Sequence, residues 1–238
     1  PLHSPEQIHL QAEVAKRVFA DRAEYLGVPA FAEVPVDVLT DKQYARGRAR
    51  GIDLKRRTDP GAIKAGDLPV RVDTDGQTTH FSIVDRNGLA VSNTTTMNTG
   101  YGSGIVVDGA GFLLNSQMND FSAKPGVPNV YGVTGSKANE IAPGKRPLSS
   151  MSPTMVYSPG GDLLLVLGSP GGSTIISTVL QVILHSIDYD QPLAEAVALP
   201  RFHHQWPPIL PATDPISVET QARYALPQST LEALIELC

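Results

Sequence analysis

Cysteine is almost missing: the single one among 238 residues is Cys238, at the last position. That excludes an internal disulfide, a cysteine metal cage and a buried cysteine nucleophile. Long apolar runs are missing too. The longest, Leu163 to Leu167, falls far short of the ~20 residues needed to span a bilayer. The opening Pro1-Leu2-His3-Ser4-Pro5-Glu6 is not a secretory signal, so any export signal is expected upstream. The six histidines are scattered, with His203–His204 the one adjacent pair and no H-x-x-x-H ligand spacing. No charge sign dominates: 19 basic against 24 acidic side chains leave a net −5. The one basic-rich stretch, Arg46 to Arg57, reads as a solvated face, so neither nucleic acid nor an anionic membrane is an expected partner. What is present is apolar material for a core: 41% hydrophobic and 18% charged residues exclude a disordered or collagen-like chain.

Residues 4–26 read as a helix. Ser4 is the N-cap, Pro5 takes the first helical position and Gln7 completes a capping box. Ile8, Val14, Val18 and Tyr25 recur at roughly helical spacing, and Gly27 stops the helix. A second box, Thr40-Asp41-Lys42-Gln43, opens a shorter helix ending near Gly51. From Asp53 to Gln77, basic residues, prolines and glycines without periodicity predict a mobile connector, exposed at its end from Asp73 to Gln77.

The pattern changes at Thr78. Thr79 to Asp85 and Leu89 to Thr96 read as strands around Arg86-Asn87-Gly88. A three-residue turn with left-handed Gly88 pairs Asp85 with Leu89 and places Thr78 opposite Thr96, close enough for two hydroxyls to share a hydrogen bond. A two-residue Asn87-Gly88 turn would shift the register by one and break that pair. Gly100 to Gly111 is glycine-rich, and residues 122–147 read as loop. Thr154–Tyr157 and Leu163–Leu167 predict a second hairpin. Gly168-Ser169-Pro170-Gly171-Gly172-Ser173 then leads into an apolar helix from Thr174 to Ser186, with shorter helices at Pro192–Leu199 and Pro227–Leu237.

Taken singly, the chemistry-bearing residues have ordinary explanations. Threonines suit strands, Gln117 and Asp120 suit a solvated loop, and Ser149-Ser150 suits a turn. The glycines after Leu167 suit a tight turn, yet exposed N–H groups at a helix start also attract a phosphate or an oxyanion. A P-loop lysine and a dinucleotide fingerprint are both missing.

The order of the motifs is more specific. Thr78-Thr79-His80-Phe81-Ser82-Ile83-Val84-Asp85, Asn115-Ser116-Gln117-Met118-Asn119-Asp120-Phe121, Lys145-Arg146-Pro147-Leu148-Ser149-Ser150-Met151-Ser152-Pro153-Thr154 and Gly168-Ser169-Pro170-Gly171-Gly172-Ser173 follow one another. Together they resemble the bacterial gamma-glutamyltransferases, also called gamma-glutamyl transpeptidases or glutathione hydrolases. The resemblance runs from the first helix through Arg201-Phe202-His203-His204-Gln205-Trp206.

That resemblance implies an α+β fold, the four-layer αββα sandwich of the N-terminal-nucleophile hydrolases. It implies a precursor that cuts itself between Gln77 and Thr78, giving a large-subunit part (1–77) and a small catalytic subunit (78–238) that stay associated. Thr78 would then be the nucleophile, with Thr96 hydrogen-bonded to it and Gly171 and Gly172 forming the oxyanion hole. Ser149 and Ser150 would bind the α-carboxylate of a glutamyl substrate, and Asn98, Gln117 and Asp120 its α-ammonium. Tyr131, in a lid-like loop from Pro125 to Gly135, would close over it.

Glutathione, other γ-glutamyl compounds and acceptor amino acids or peptides are the implied small-molecule partners. Neither metal nor organic cofactor is implied, and the implied location is periplasmic or secreted. The family's substrate-binding arginine is expected before Pro1, and further sheet strands after Leu237. The rival readings are a cephalosporin acylase-like enzyme, a poly-γ-glutamate-cleaving relative, and an unprocessed, catalytically silent binding protein. Asp120 opposes the acylase, whose substrate lacks the ammonium.

Overall fold

The computed structural model describes residues 1–63, 78–206, 216–219 and 225–237. Helix α1 spans Pro5–Tyr25. The Ser4 hydroxyl accepts from the Gln7 N–H at 3.3 Å, while Gln7 Oε1 accepts from the His3 N–H at 3.0 Å, one residue before the cap. The box therefore forms in a variant geometry.

The apolar stripe of α1 differs from the expected one. Ile8 is fully buried, but Val14, Val18 and Tyr25 are 40–50% exposed. The buried face instead carries Ile8, Ala12, Phe19, Ala20 and Ala23 interleaved with His9, Glu13, Lys16 and Arg17. The polar members are paired. The Glu13 carboxylate accepts from Lys16 Nζ at 3.0 Å, Arg17 Nη1 at 2.7 Å and the Thr58 N–H at 2.9 Å. Arg17 Nη2 donates to the Gly51 carbonyl at 2.8 Å, Lys16 Nζ to that of Thr58 at 3.1 Å, and His9 Nε2 meets that of Asp53 at 2.8 Å.

These contacts reach into the expected connector. Its first part, Asp53 to Ile63, is pinned against α1 and includes a 3₁₀ turn at Pro60–Ala62. Residues 64–77, and with them Gln77 and the stretch from Asp73, lie outside the described residues.

Burial alone would push the Glu13 carboxyl up, but the hydrogen bonds from Thr58, Arg17 and Lys16 outweigh it and hold the group at about 2. A depressed folded-state value stabilises the fold above the ordinary carboxylate range, and that stability is lost as pH falls toward 2. Glu13→Ala strands two buried cations and is expected to cost about 3–5 kcal/mol, read as a lower denaturation midpoint at neutral pH. An unchanged midpoint would show that the cluster contributes nothing net.

Helix α2 (Val36–Leu39) precedes α3 (Lys42–Ala49). Asp41, not Thr40, caps α3: its carboxylate accepts from the N–H groups of Gln43 and Tyr44, both at 2.8 Å. The Thr40 hydroxyl instead donates to the Val36 carbonyl and closes α2, which the sequence pattern does not suggest. Nothing on α3 is buried, as a solvated basic face requires, although Arg48 returns to Asp21 at 3.0 Å.

Strands β1 (Thr78–Val84) and β2 (Ala90–Thr96) pair antiparallel with Thr78 opposite Thr96. The Asp85 N–H donates to the Leu89 carbonyl and Gly88 sits at φ 85°, so the turn has three residues. Strands β3 (Thr154–Tyr157) and β4 (Leu163–Leu167) form the second hairpin. It lies beside the first, with the Ser92 hydroxyl donating to the Leu167 carbonyl at 3.0 Å. A 3₁₀ turn at Gly172–Thr174 opens α4 (Ile175–Ile187), followed by α5 (Leu193–Ala198). The short pair β5 (Phe202–His203) and β6 (Ser217–Val218) precedes α6 (Gln228–Leu237).

The class is α+β, as expected. Of the four-layer sandwich, the described residues supply helices and three two-stranded sheets. Two apolar clusters join α1 to distant chain. Phe19, Ala20 and Ala23 pack with Ile63 and Trp206, and Ile8 packs with Phe202, Leu226 and Leu234.

Candidate active site

The hairpin register brings two hydroxyls together. Thr78 Oγ1 donates to Thr96 Oγ1 at 3.1 Å, and the Asn98 N–H donates to the same oxygen at 2.9 Å. Asn98 reaches that position by taking a left-handed φ of 78°, which asparagine tolerates. It is buried, and its Nδ2 donates to the Ser116 carbonyl at 3.1 Å.

Tyr131 closes the other side. Its hydroxyl donates to the Asn98 carbonyl at 2.7 Å, and Asn129 Oδ1 holds its backbone by accepting from the N–H groups of Tyr131 and Val133. The ring lies on Gly172. A Cβ there would come within 2.9 Å of Tyr131 Cδ1, and φ is 58°, so glycine is required twice over.

These groups border a cavity holding about 610 Å³ of empty space, its mouth included. Thr78, Thr96, Asn98, Asp120, Tyr131, Ser149, Ser150 and Gly172 all line it. Gly171 and Gln117 do not, though each is in the turn of a lining residue. Gly171 precedes Gly172 at φ 128°, and Gln117 opens the 3₁₀ turn that ends at Asp120. Among the described residues no group of three or more His, Cys, Asp and Glu side chains is placed to hold a metal ion. No helix among them is long and apolar enough to cross a membrane.

A sequence profile described as Gamma-glutamyltranspeptidase matches residues 1–237. The chain belongs to that family. Similar proteins include the glutathione hydrolase proenzymes of Escherichia coli (strain K12), 53% identical over 205 residues, and of Pseudomonas aeruginosa, 53% identical over 204. Each match covers 86% of this chain and 35% of the relative, so the chain spans about a third of the length of these proteins. Among solved structures, an acivicin-inhibited gamma-glutamyltranspeptidase is similar at a TM-score of 0.60 and 51% identity, over 67% of this chain and 80% of that one. The Pseudomonas nitroreducens gamma-glutamyltranspeptidase complexed with L-DON gives 0.59 and 52%, over 66% and 78%. The fold is thus that of the gamma-glutamyltranspeptidases, N-terminal-nucleophile hydrolases of the α+β class.

Three further residues of this transpeptidase-family chain shape the site, and the sequence reading gives none of them a role there. Arg22, on the last turn of α1, lines the cavity and donates from Nη2 to the Ser150 hydroxyl at 3.2 Å. Asn139 ties the walls together: Nδ2 donates to the Asp120 carbonyl at 2.7 Å, and Oδ1 accepts from the Leu148 N–H at 2.9 Å. Gln205 donates from Nε2 to the Tyr131 carbonyl at 3.1 Å, and its Oε1 meets His203 Nε2 at 2.9 Å. Burial pulls His203 down to about 4, so the ring is neutral at physiological pH, with Ser177 on its other nitrogen at 2.8 Å.

Among the described residues that line it, the cavity has one charged side chain of each sign, Asp120 and Arg22. Burial pushes the Asp120 carboxyl up to about 6 against the pull of Arg22. Burial likewise lowers the Arg22 guanidinium to about 10, with Asp120 opposing.

Proposed function

We propose that the protein carrying this chain hydrolyses glutathione and other γ-glutamyl compounds, and transfers the γ-glutamyl group to amino acids or peptides. The observation that carries this reading is the Thr78–Thr96 hydroxyl pair in the wall of a cavity that also holds Asp120, Ser149 and Ser150. A threonine hydroxyl is a weak nucleophile and needs a base. While Gln77 is attached, the Thr78 nitrogen is an amide and takes up no proton. Self-cleavage of the Gln77–Thr78 bond frees it as an amine, one residue's reach from its own Oγ1. The names of the curated relatives, glutathione hydrolase proenzymes, support such a step.

In the reaction the amine takes the Thr78 hydroxyl proton as Oγ1 attacks the γ-carbonyl. The oxyanion forms against the N–H groups of Gly171 and Gly172, where fixed donors act most strongly. The amine passes its proton to the departing nitrogen, leaving a γ-glutamyl ester on Thr78. Water, or the amino group of an acceptor, then resolves the ester. Ser149 and Ser150 donate to the substrate α-carboxylate. Asp120, with Asn98 and Gln117, takes the α-ammonium, and Tyr131 closes the mouth. Residues 1–77 and 78–238 then belong to two subunits that remain together. A periplasmic or secreted location fits the family.

γ-Glutamyl-p-nitroanilide and glutaryl-p-nitroanilide differ only in the α-ammonium, so they test the assignment of Asp120. A charge-assisted contact of this kind is worth about 10–100-fold, so kcat/KM is expected to favour the γ-glutamyl compound by that factor. Equal rates, or preference for the glutaryl compound, would favour the acylase reading.

A further inference from the structure

We infer that Arg22 is a positioning residue of the glutamyl pocket, fixing the Ser150 hydroxyl and facing the Asp120 carboxylate from the far side of the scissile bond. The inference rests on the γ-glutamyl reading above. Arg22 stands on the last turn of α1, which is anchored two ways, by Phe19, Ala20 and Ala23 in an apolar cluster and by the Glu13 ion cluster. The guanidinium is therefore delivered from a rigid element.

Its hydrogen bond has a direction that matters. A hydroxyl has one proton and two lone pairs. Because Ser150 Oγ accepts from Arg22, its proton is left to donate into the cavity, toward an anion. Ser150's backbone is fixed separately, its carbonyl accepting from the Ser152 hydroxyl at 3.0 Å, so Arg22 sets the side chain and not the loop.

The second effect is on charge. Among the described residues that line the cavity, Arg22 and Asp120 are the only charged side chains, and Tyr131 is the one other titratable group. Asn139 and Phe121, packed beside Asp120, bring no charge. After cleavage the Thr78 amine joins them. Arg22 thus offsets the burial that favours a neutral Asp120, and a neutral Asp120 cannot pair with an ammonium. One cation and one anion across a small cavity complement the head group of an α-amino acid, which carries both signs.

Arg22→Met and Arg22→Lys in the protein expressed from its complete gene provide the test. In wild type, the ratio of kcat/KM for γ-glutamyl- over glutaryl-p-nitroanilide is expected to fall as pH drops through about 6, where Asp120 takes up its proton. The Thr78 amine serves both substrates and cancels from the ratio, whose acid limb is the one that reports Asp120. Arg22→Met removes the offsetting cation, so the acid limb moves to higher pH. KM at neutral pH is expected to rise about 10–100-fold, with kcat changed only a few-fold. The loss on glutaryl-p-nitroanilide is smaller, because that substrate does not call on Asp120. Arg22→Lys keeps the charge but not the planar fork, so the limb stays and KM rises several-fold.

An unmoved limb in Arg22→Met, or equal losses on the two substrates, would overturn the inference. If Arg22→Met fails to mature, Arg22→Lys decides: an unchanged KM would overturn it. A wild-type enzyme that prefers the glutaryl substrate would sink the γ-glutamyl reading instead, which is a separate result.

Discussion

Thr78→Ala is expected to leave the Gln77–Thr78 bond intact and the protein without turnover. Both effects come from one oxygen. In the proposed mechanism Thr78 Oγ1 attacks twice, first the carbonyl of Gln77 and then the substrate, and alanine has nothing to attack with. Removing a nucleophile from a unit of this kind costs on the order of 10⁴–10⁶ in kcat. On a denaturing gel the variant is expected to stay a single band after long incubation, where wild type is expected to give two pieces, one of them beginning Thr78-Thr79-His80 by N-terminal sequencing. A variant that still splits before residue 78 would place the nucleophile elsewhere.

Gly172→Ala is expected to lower kcat by about 10²–10³, the scale of losing one oxyanion donor. The added methyl lies within 2.9 Å of the Tyr131 ring, at a φ of 58°. Either the ring moves off the cavity or the backbone N–H turns away from the forming oxyanion. Strain alone is separable by a control. Gly161, in the β3–β4 turn, has a φ of 93°, and a methyl added there would meet nothing within 4 Å. Gly161→Ala therefore carries a similar left-handed cost of roughly 1–2 kcal/mol without disturbing the site. Steady-state kinetics on both variants tells the cases apart. Equal kcat values would mean that Gly172 serves only the turn.

The parts of this protein that are legible from sequence are those set by local rules. The Thr78–Thr96 pair follows from one turn: three residues, a left-handed glycine, and a count back along two strands. The second hairpin and the helices after Thr174 are legible for the same reason. Helix α1 is legible in its extent but not in its buried face, because Glu13, Lys16 and Arg17 satisfy one another inside. Hydrophobic periodicity has no way to register a buried ion cluster. The cap of α3 goes to Asp41 because its carboxylate accepts two N–H groups at once, whereas Thr40 is already engaged on the preceding turn. Arg22 is illegible for a plainer reason. Its partner Ser150 is 128 residues away, and no motif spacing spans that distance.

Helix α1 lies before Thr78, yet its packing partners Phe202, Trp206, Leu226 and Leu234 lie after it. While the backbone is continuous, that packing is unimolecular and indifferent to dilution. If the proposed cut before Thr78 severs the peptide link between them, the same apolar surfaces become a binding equilibrium between two polypeptides. The melting temperature of the matured protein should then climb with its concentration, a dependence its precursor lacks.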